Sequence, residues 1–123
     1  MLRRTLIVAT LALAASAGRA QAQDYPTGPI KFIVPCAAGS ATDNGARRIA
    51  DALTKTWGQS IVVENKVGAN GILAAEAVAR AKPDGHTVFI TSNSAVGANV
   101  ALFKKLPYDP LKDLDPITSI GFS

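Results

Sequence analysis

The chain has 123 residues, one cysteine and a formal charge of +4 from 13 basic and 9 acidic residues. That length holds one small domain with a modest core. Arg3, Arg4 and Arg19 fall in an N-terminal leader, and without them the remainder is close to neutral, which points to neither a nucleic acid nor an anionic membrane surface.

Met1 to Ala22 has the layout of a secretory signal: Arg3 and Arg4 as the charged start, Leu6 to Ala17 as an apolar core too short to span a bilayer, and Ala20–Gln21–Ala22 as an A-x-A cleavage site. A mature start at Gln23 and a periplasmic address follow. Residues 1–22 are thus expected to be a signal peptide, and 23–123 the folded part. Cys36 has no intrachain disulfide partner there and is expected to act as a buried small hydrophobe.

After a polar, proline-containing lead from Asp24 to Gly28, the run Ile30 to Val34 predicts a strand covered on both faces. Pro35 ends its pairing. Cys36 to Ala41 are all small, so backbone N–H groups there come close to any bound group. Ser40 is an N-cap residue with Asp43 three positions on, a weak capping box. Ala46, Ile49, Ala50, Leu53 and Trp57 then recur at helical spacing, and Gly58 stops the helix.

Ser60 to Glu64 is β-branched and predicts a second strand. Asn65 to Gly71 is a second small-residue loop. It opens a helix from about Ile72 to Ala81, with Leu73, Ala74, Ala77, Val78 and Ala81 on one face. Pro83–Asp84–Gly85 is a turn, and Thr87 to Ile90 a third strand, followed by Thr91, Ser92, Asn93 and Ser94. A short helix is predicted from Val96 to Phe103. Lys104 to Pro116 holds three prolines and predicts an extended surface segment, and Ile117 to Phe122 predicts a fourth strand.

Strands alternating with helices predict a parallel sheet with right-handed crossovers. Three successive strand-to-helix loops then share one sheet edge, where ligands of open α/β sheets bind. Free amides and helix dipoles there favour a carboxylate or phosphate. The loops offer hydroxyls (Ser40, Thr42, Thr91, Ser92, Ser94), the Asn93 amide and the Asp43 carboxylate, but little acid–base power. His86, the single histidine, opens the third strand and so falls at the wrong end of the sheet for Cys36. Ala38 and Thr42 replace the flanking glycines of a G-x-S-x-G elbow, and Gly39 is not followed by a P-loop ending. Gly68–Ala69–Asn70–Gly71 is only faintly a dinucleotide loop. No His/Cys cluster suits a metal. Binding without catalysis is what remains: no catalytic residue, no metal and no cofactor is expected. Asp43 either caps its helix or holds a ligand's ammonium group and loop waters. Lys31, Lys66, Lys104, Lys105 and Lys112 are scattered and expected to be solvated.

The motifs Tyr25–Pro26–x–x–Pro29–Ile30–x–Phe32–Ile33–Val34–Pro35 and Ala37–Ala38–Gly39–x–x–x–Asp43 resemble the start of Bug-type receptors, the periplasmic substrate-binding proteins of tripartite tricarboxylate transporters. Gly58–Gln59–x–Ile61–Val62–Val63–Glu64–Asn65, Gly68–Ala69–x–Gly71, Ala81–x–Pro83–Asp84–Gly85 and Leu106–Pro107–Tyr108–Asp109–Pro110 continue the match in order. The resemblance implies a type II periplasmic-binding-protein fold of two domains that hinge around a small carboxylated solute. In such receptors the first two βα loops hold a carboxylate, largely through backbone groups and ordered waters. Carried over by motif, this implies Ala38, Gly39 and Asp43 in the first loop and Gly68, Ala69 and Gly71 in the second, with Thr91 and Ser92 from a less specific third segment; Ser40, at the first loop's closest approach, joins the candidate ligand-binding residues. Cys36 stands where an aromatic or aliphatic residue is expected, and Ser40 where glycine is usual. The implied ligand is a small organic acid or acidic amino acid, and the implied protein partners are the membrane subunits of the transporter. Family members are well over twice this length, so the chain is expected to be the N-terminal part of an α/β lobe, a fragment with the second domain absent. The competing expectations are a remnant that binds nothing and a hydrolase using Ser40 or Cys36.

Overall fold

The computed structural model describes residues 24–121. The expected leader and its cleavage site lie outside the described residues.

The apolar run Ile30–Val34 forms strand β1, the centre of a three-stranded parallel sheet, between β2 (Ile61–Asn65) and β3 (Thr87–Phe89). Register pairs Ile30 with Ile61 through Val34 with Asn65 on one side, and Lys31 with Thr87 through Ile33 with Phe89 on the other. Side chains alternate across a strand. Ile30, Phe32 and Val34 therefore share one face and pack with Ala46 and Ala50 of helix α1 (Ala41–Trp57), with Ile49, Leu53, Ile61, Val63 and Val88 around them. Ile33 points the other way and is also buried. On that second face Phe89 joins a smaller cluster with Ala75 of helix α2 (Ile72–Ala79), Ala95 and Tyr108. The chain leaves β1 for one neighbour and then crosses to the other, and right-handed crossovers put the two helices on opposite faces. Each apolar side chain fully buried at the sheet centre contributes about 1.5–3 kcal/mol.

Helix α1 starts and stops as its sequence dictates. Ser40 Oγ accepts from the Asp43 N–H at 3.2 Å. Gly58 takes a left-handed φ of 67°, and its N–H closes on the Thr54 carbonyl at 2.9 Å. The capping box departs from the expected pattern in one respect: Asp43 reaches back to the N–H of Gly39 rather than of Ser40.

Other elements differ more. Helix α2 ends at Ala79 and buries Ala74 and Ala75, while Leu73, expected on the inner face, is half exposed and leans over Gly68. An alanine surface lets the helix approach the sheet closely, which a leucine there would prevent. The third helix begins earlier than predicted, as a wide turn over Ser94–Ala98 in which the Asn99 N–H reaches the Ser94 carbonyl. That widening sets Ala95 into the second cluster, and helix α3 (Asn99–Leu102) is correspondingly short. Ile117 to Gly121 form no strand, correcting the predicted fourth one; Ile117 and Ile120 are exposed, and Phe122 lies outside the described residues. Apolar, β-branched sequence makes a strand only where an edge and a packing surface receive it.

Candidate functional site

Ladder hydrogen bonds run to the carboxyl end of the sheet: the Lys66 N–H donates to the Val34 carbonyl at 2.8 Å and the Ile90 N–H to the Ile33 carbonyl at 3.0 Å. The three outgoing loops therefore leave from one rim. They enclose an open cleft of about 240 Å³, lined by Pro35 and Cys36 from the first loop, Val67 to Gly71 from the second, and Thr91, Ser92 and Ser94 from the third. Gly71 is where they meet. A Cβ there would stand 3.2 Å from Ala95 Cβ and 3.3 Å from Pro35 Cβ, so any side chain would press on both neighbours, and its φ of 83° suits glycine as well. The order β2-β1-β3 makes the gap between β1 and β3 the topological switch point, where open α/β sheets bind ligands.

No lining residue is charged. What the cleft presents is amides and hydroxyls. Among the described residues, the N–H groups of Ala69 and Asn70 have no backbone acceptor. The Thr91 hydroxyl donates to the Ser92 carbonyl at 3.1 Å, and Ser92 Oγ lies 3.4 Å from Ser94 Oγ.

Of the residues expected from the sequence, Gly68, Ala69, Gly71, Thr91 and Ser92 line this cleft. Ala38, Gly39, Ser40 and Asp43 do not; they form the turn that carries the chain on into α1. Asp43 is 1% exposed. Its Oδ2 accepts from the Gly39 N–H at 2.8 Å and from Arg47 Nε at 2.9 Å, and its Oδ1 from Asn65 Nδ2 at 2.8 Å. Chiefly the Arg47 guanidinium, then the Gly39 N–H and the Asn65 amide, lower its pKa to about 2. Asn65 Nδ2 also donates to the Cys36 carbonyl at 2.9 Å, and Arg47 Nη2 to Asn65 Oδ1 at 3.2 Å. The carboxylate thus ties the first loop to the end of β2.

Sequence reasoning missed Pro35, Val67, Asn70 and Ser94 as lining residues, and missed Asn65 and Arg47 as the braces of the first loop. The available signal was an asparagine closing the β2 run just ahead of a glycine-rich loop. Cys36 is half-buried: it packs against the first cluster yet also lines the cleft. Lys31 and Lys66, expected to be solvated, both pair with Glu64, at 3.1 and 2.8 Å, because register sets Glu64 beside Ile33 on the face that Lys31 shares.

His86 sits at the opposite edge of the sheet. Its carbonyl accepts from the Lys31 N–H at 2.8 Å, its Nε2 accepts from the Thr27 N–H at 3.2 Å, and Nδ1 lies 3.0 Å from the Asp84 carbonyl. Ser40 Oγ is taken up in capping. Neither Ser40 nor Cys36 has a histidine base beside it, which disfavours the hydrolase alternative.

The family model for the tripartite tricarboxylate transporter family receptor matches residues 45–123. A UPF0065 protein of Bordetella bronchiseptica is 45% identical over 98% of this chain and 36% of its own length, and protein BugT of Bordetella pertussis is 38% identical over 90% of this chain and 34% of its own. The chain spans about a third of the length of these relatives. Among solved structures, MatC of Rhodopseudomonas palustris with bound malate is 48% identical, with a TM-score of 0.68 over 72% of this chain and 30% of that one. A second R. palustris protein, solved with adipate, is 36% identical with a TM-score of 0.68, covering 72% of this chain and 29% of that one.

Proposed function

The chain belongs to the tripartite tricarboxylate transporter receptor family, and on that premise we propose that its cleft takes one carboxylate of a small organic acid or acidic amino acid. The observation that carries this reading is the convergence of three strand-to-helix loops on an uncharged cleft rich in amides and hydroxyls. An anion held by several neutral donors needs no buried counter-charge, and each such charge-assisted bond is roughly twice as strong as a neutral one. Malate and adipate in the similar structures support the same ligand class. In this reading Gly68, Ala69, Gly71, Thr91 and Ser92 form the binding wall. Ala38, Gly39, Ser40 and Asp43 hold the first loop in place, with Asp43 acting through Asn65 and Arg47. The address is the periplasm, and the membrane subunits of a tripartite tricarboxylate transporter receive the ligand.

The test is thermal. Malate, adipate and glutamate are titrated into the chain while its melting midpoint is followed by circular dichroism. Ligand at a hundred times Kd stabilises the folded state by about 2.7 kcal/mol, and in a domain of this size each kcal/mol raises the midpoint by about 4–8 °C. A rise with the acids and none with their amides supports the proposal. Unchanged melting across all three acids overturns it.

A further inference from the structure

Two polar side chains are fully buried among the described residues, Asp43 and Asn99. The first braces the first loop. Asn99 opens α3, and its amide faces the second loop: Oδ1 accepts from Asn70 Nδ2 at 2.6 Å, and Nδ2 donates to the Asn70 carbonyl at 3.1 Å. Behind it, 3.5 Å from Nδ2, lies the hydroxyl of buried Tyr108, which itself donates to the Ala95 carbonyl.

The loop held in this way has an uncommon backbone. Gly68, Ala69, Asn70 and Gly71 have φ of 142°, 47°, 53° and 83° in succession. Left-handed conformation is sparsely populated by residues with a Cβ, and a run containing an alanine persists only where the surroundings over-determine it. The reciprocal amide pair does so. It fixes the side chain and the carbonyl of one residue together, at the centre of the run that forms a wall of the cleft.

We propose that Asn99, backed by Tyr108, is a positioning residue for ligand binding, holding Gly68–Gly71 in the left-handed shape in which it lines the cleft. This rests on the carboxylate-binding reading for its consequence, though not for its geometry. An apolar residue at 99 would fill the volume but leave the Asn70 carbonyl and side-chain amide without partners.

The experiment measures amide hydrogen exchange and malate and adipate affinity on the whole chain, native and substituted. In Asn99→Ala, exchange at Gly71 and Ile72, whose N–H groups close on the Gly68 and Ala69 carbonyls, accelerates about tenfold, the factor expected when a partly buried pair of amide hydrogen bonds is lost, while Ile33 and Val34 in β1 keep their rates. Malate affinity weakens by a similar factor. Tyr108→Phe shows a smaller effect of the same kind. Asn99→Asp, which keeps the acceptor facing Asn70 Nδ2 but sets a second oxygen against the Asn70 carbonyl, restores none of the loss. Exchange that rises equally in β1 shows a general folding role and overturns the proposal, as does an unchanged loop. If Asn99→Ala does not fold, Asn70→Gly decides the matter: it removes the side-chain donor to Asn99 Oδ1 while keeping the carbonyl and leaving positive φ accessible, and selective loosening of the loop is again the expected result. If the native chain binds neither acid, the carboxylate reading fails, while exchange still decides whether Asn99 shapes the loop.

Discussion

Asp43 gathers three donors from three parts of the chain: Gly39 in the first loop, Arg47 one turn along α1, and Asn65 at the end of β2. All three favour its charged form and lower its pKa to about 2, against about 3.9 for a free aspartate. Because the folded value is the lower one, the carboxylate stabilises the fold fully above pH ~4, and that contribution is lost as pH falls toward ~2. Melting midpoints measured between these limits should drop more steeply for the native chain than for Asp43→Asn, which is already the less stable of the two at neutral pH. Parallel curves would show that Asp43 takes no part in acid unfolding. The residue was legible in the sequence as a capping aspartate. Its tie to Asn65 was not, because that partner lies 22 positions away and comes near only when β1 and β2 pair.

At the scale of loops and helices, Gly39 and Gly71 make a useful pair. Both have φ of +83°, but a Cβ at Gly39 meets nothing within 4 Å, whereas one at Gly71 presses on Pro35 and Ala95. Gly39→Ala should lower unfolding free energy by about 1–2 kcal/mol through conformation alone. Gly71→Ala should lose a further ~1–3 kcal/mol to overpacking and open the cleft. Denaturant midpoints compare the two, and equal losses would mean that the three loops do not meet at Gly71. The cap at Ser40, the stop at Gly58 and the core strand were readable because each depends on neighbours within a few residues. The inner face of α2 and the wide turn at Ser94–Ala98 were not, since both depend on which sheet surface they cover.

Across the whole molecule, the sheet is finished on both faces and unfinished at its sides. Among the described residues, β2 and β3 each pair only with β1, and Val100, Leu102 and Phe103, all within four positions in and just after α3, are each exposed. Open edges and clustered apolar side chains promote association. Sedimentation velocity should show a concentration-dependent rise in mass, reduced several-fold by Leu102→Glu without a lower melting midpoint. A chain that stays monomeric at every concentration would count against this.

From its residues alone the chain determined the alternation of strands and helices, the parallel sense of the sheet, the shared rim of its loops and the resemblance to solute receptors. All of these follow from periodicities and motifs written over short distances. Which amides face the cleft was decided only in three dimensions. Asn70 lies 29 positions from Asn99, and Asp43 lies 22 from Asn65. Each gains its role from packing that brings these polar groups together around a buried one, Asn99 or Asp43, where an unpaired partner is costly.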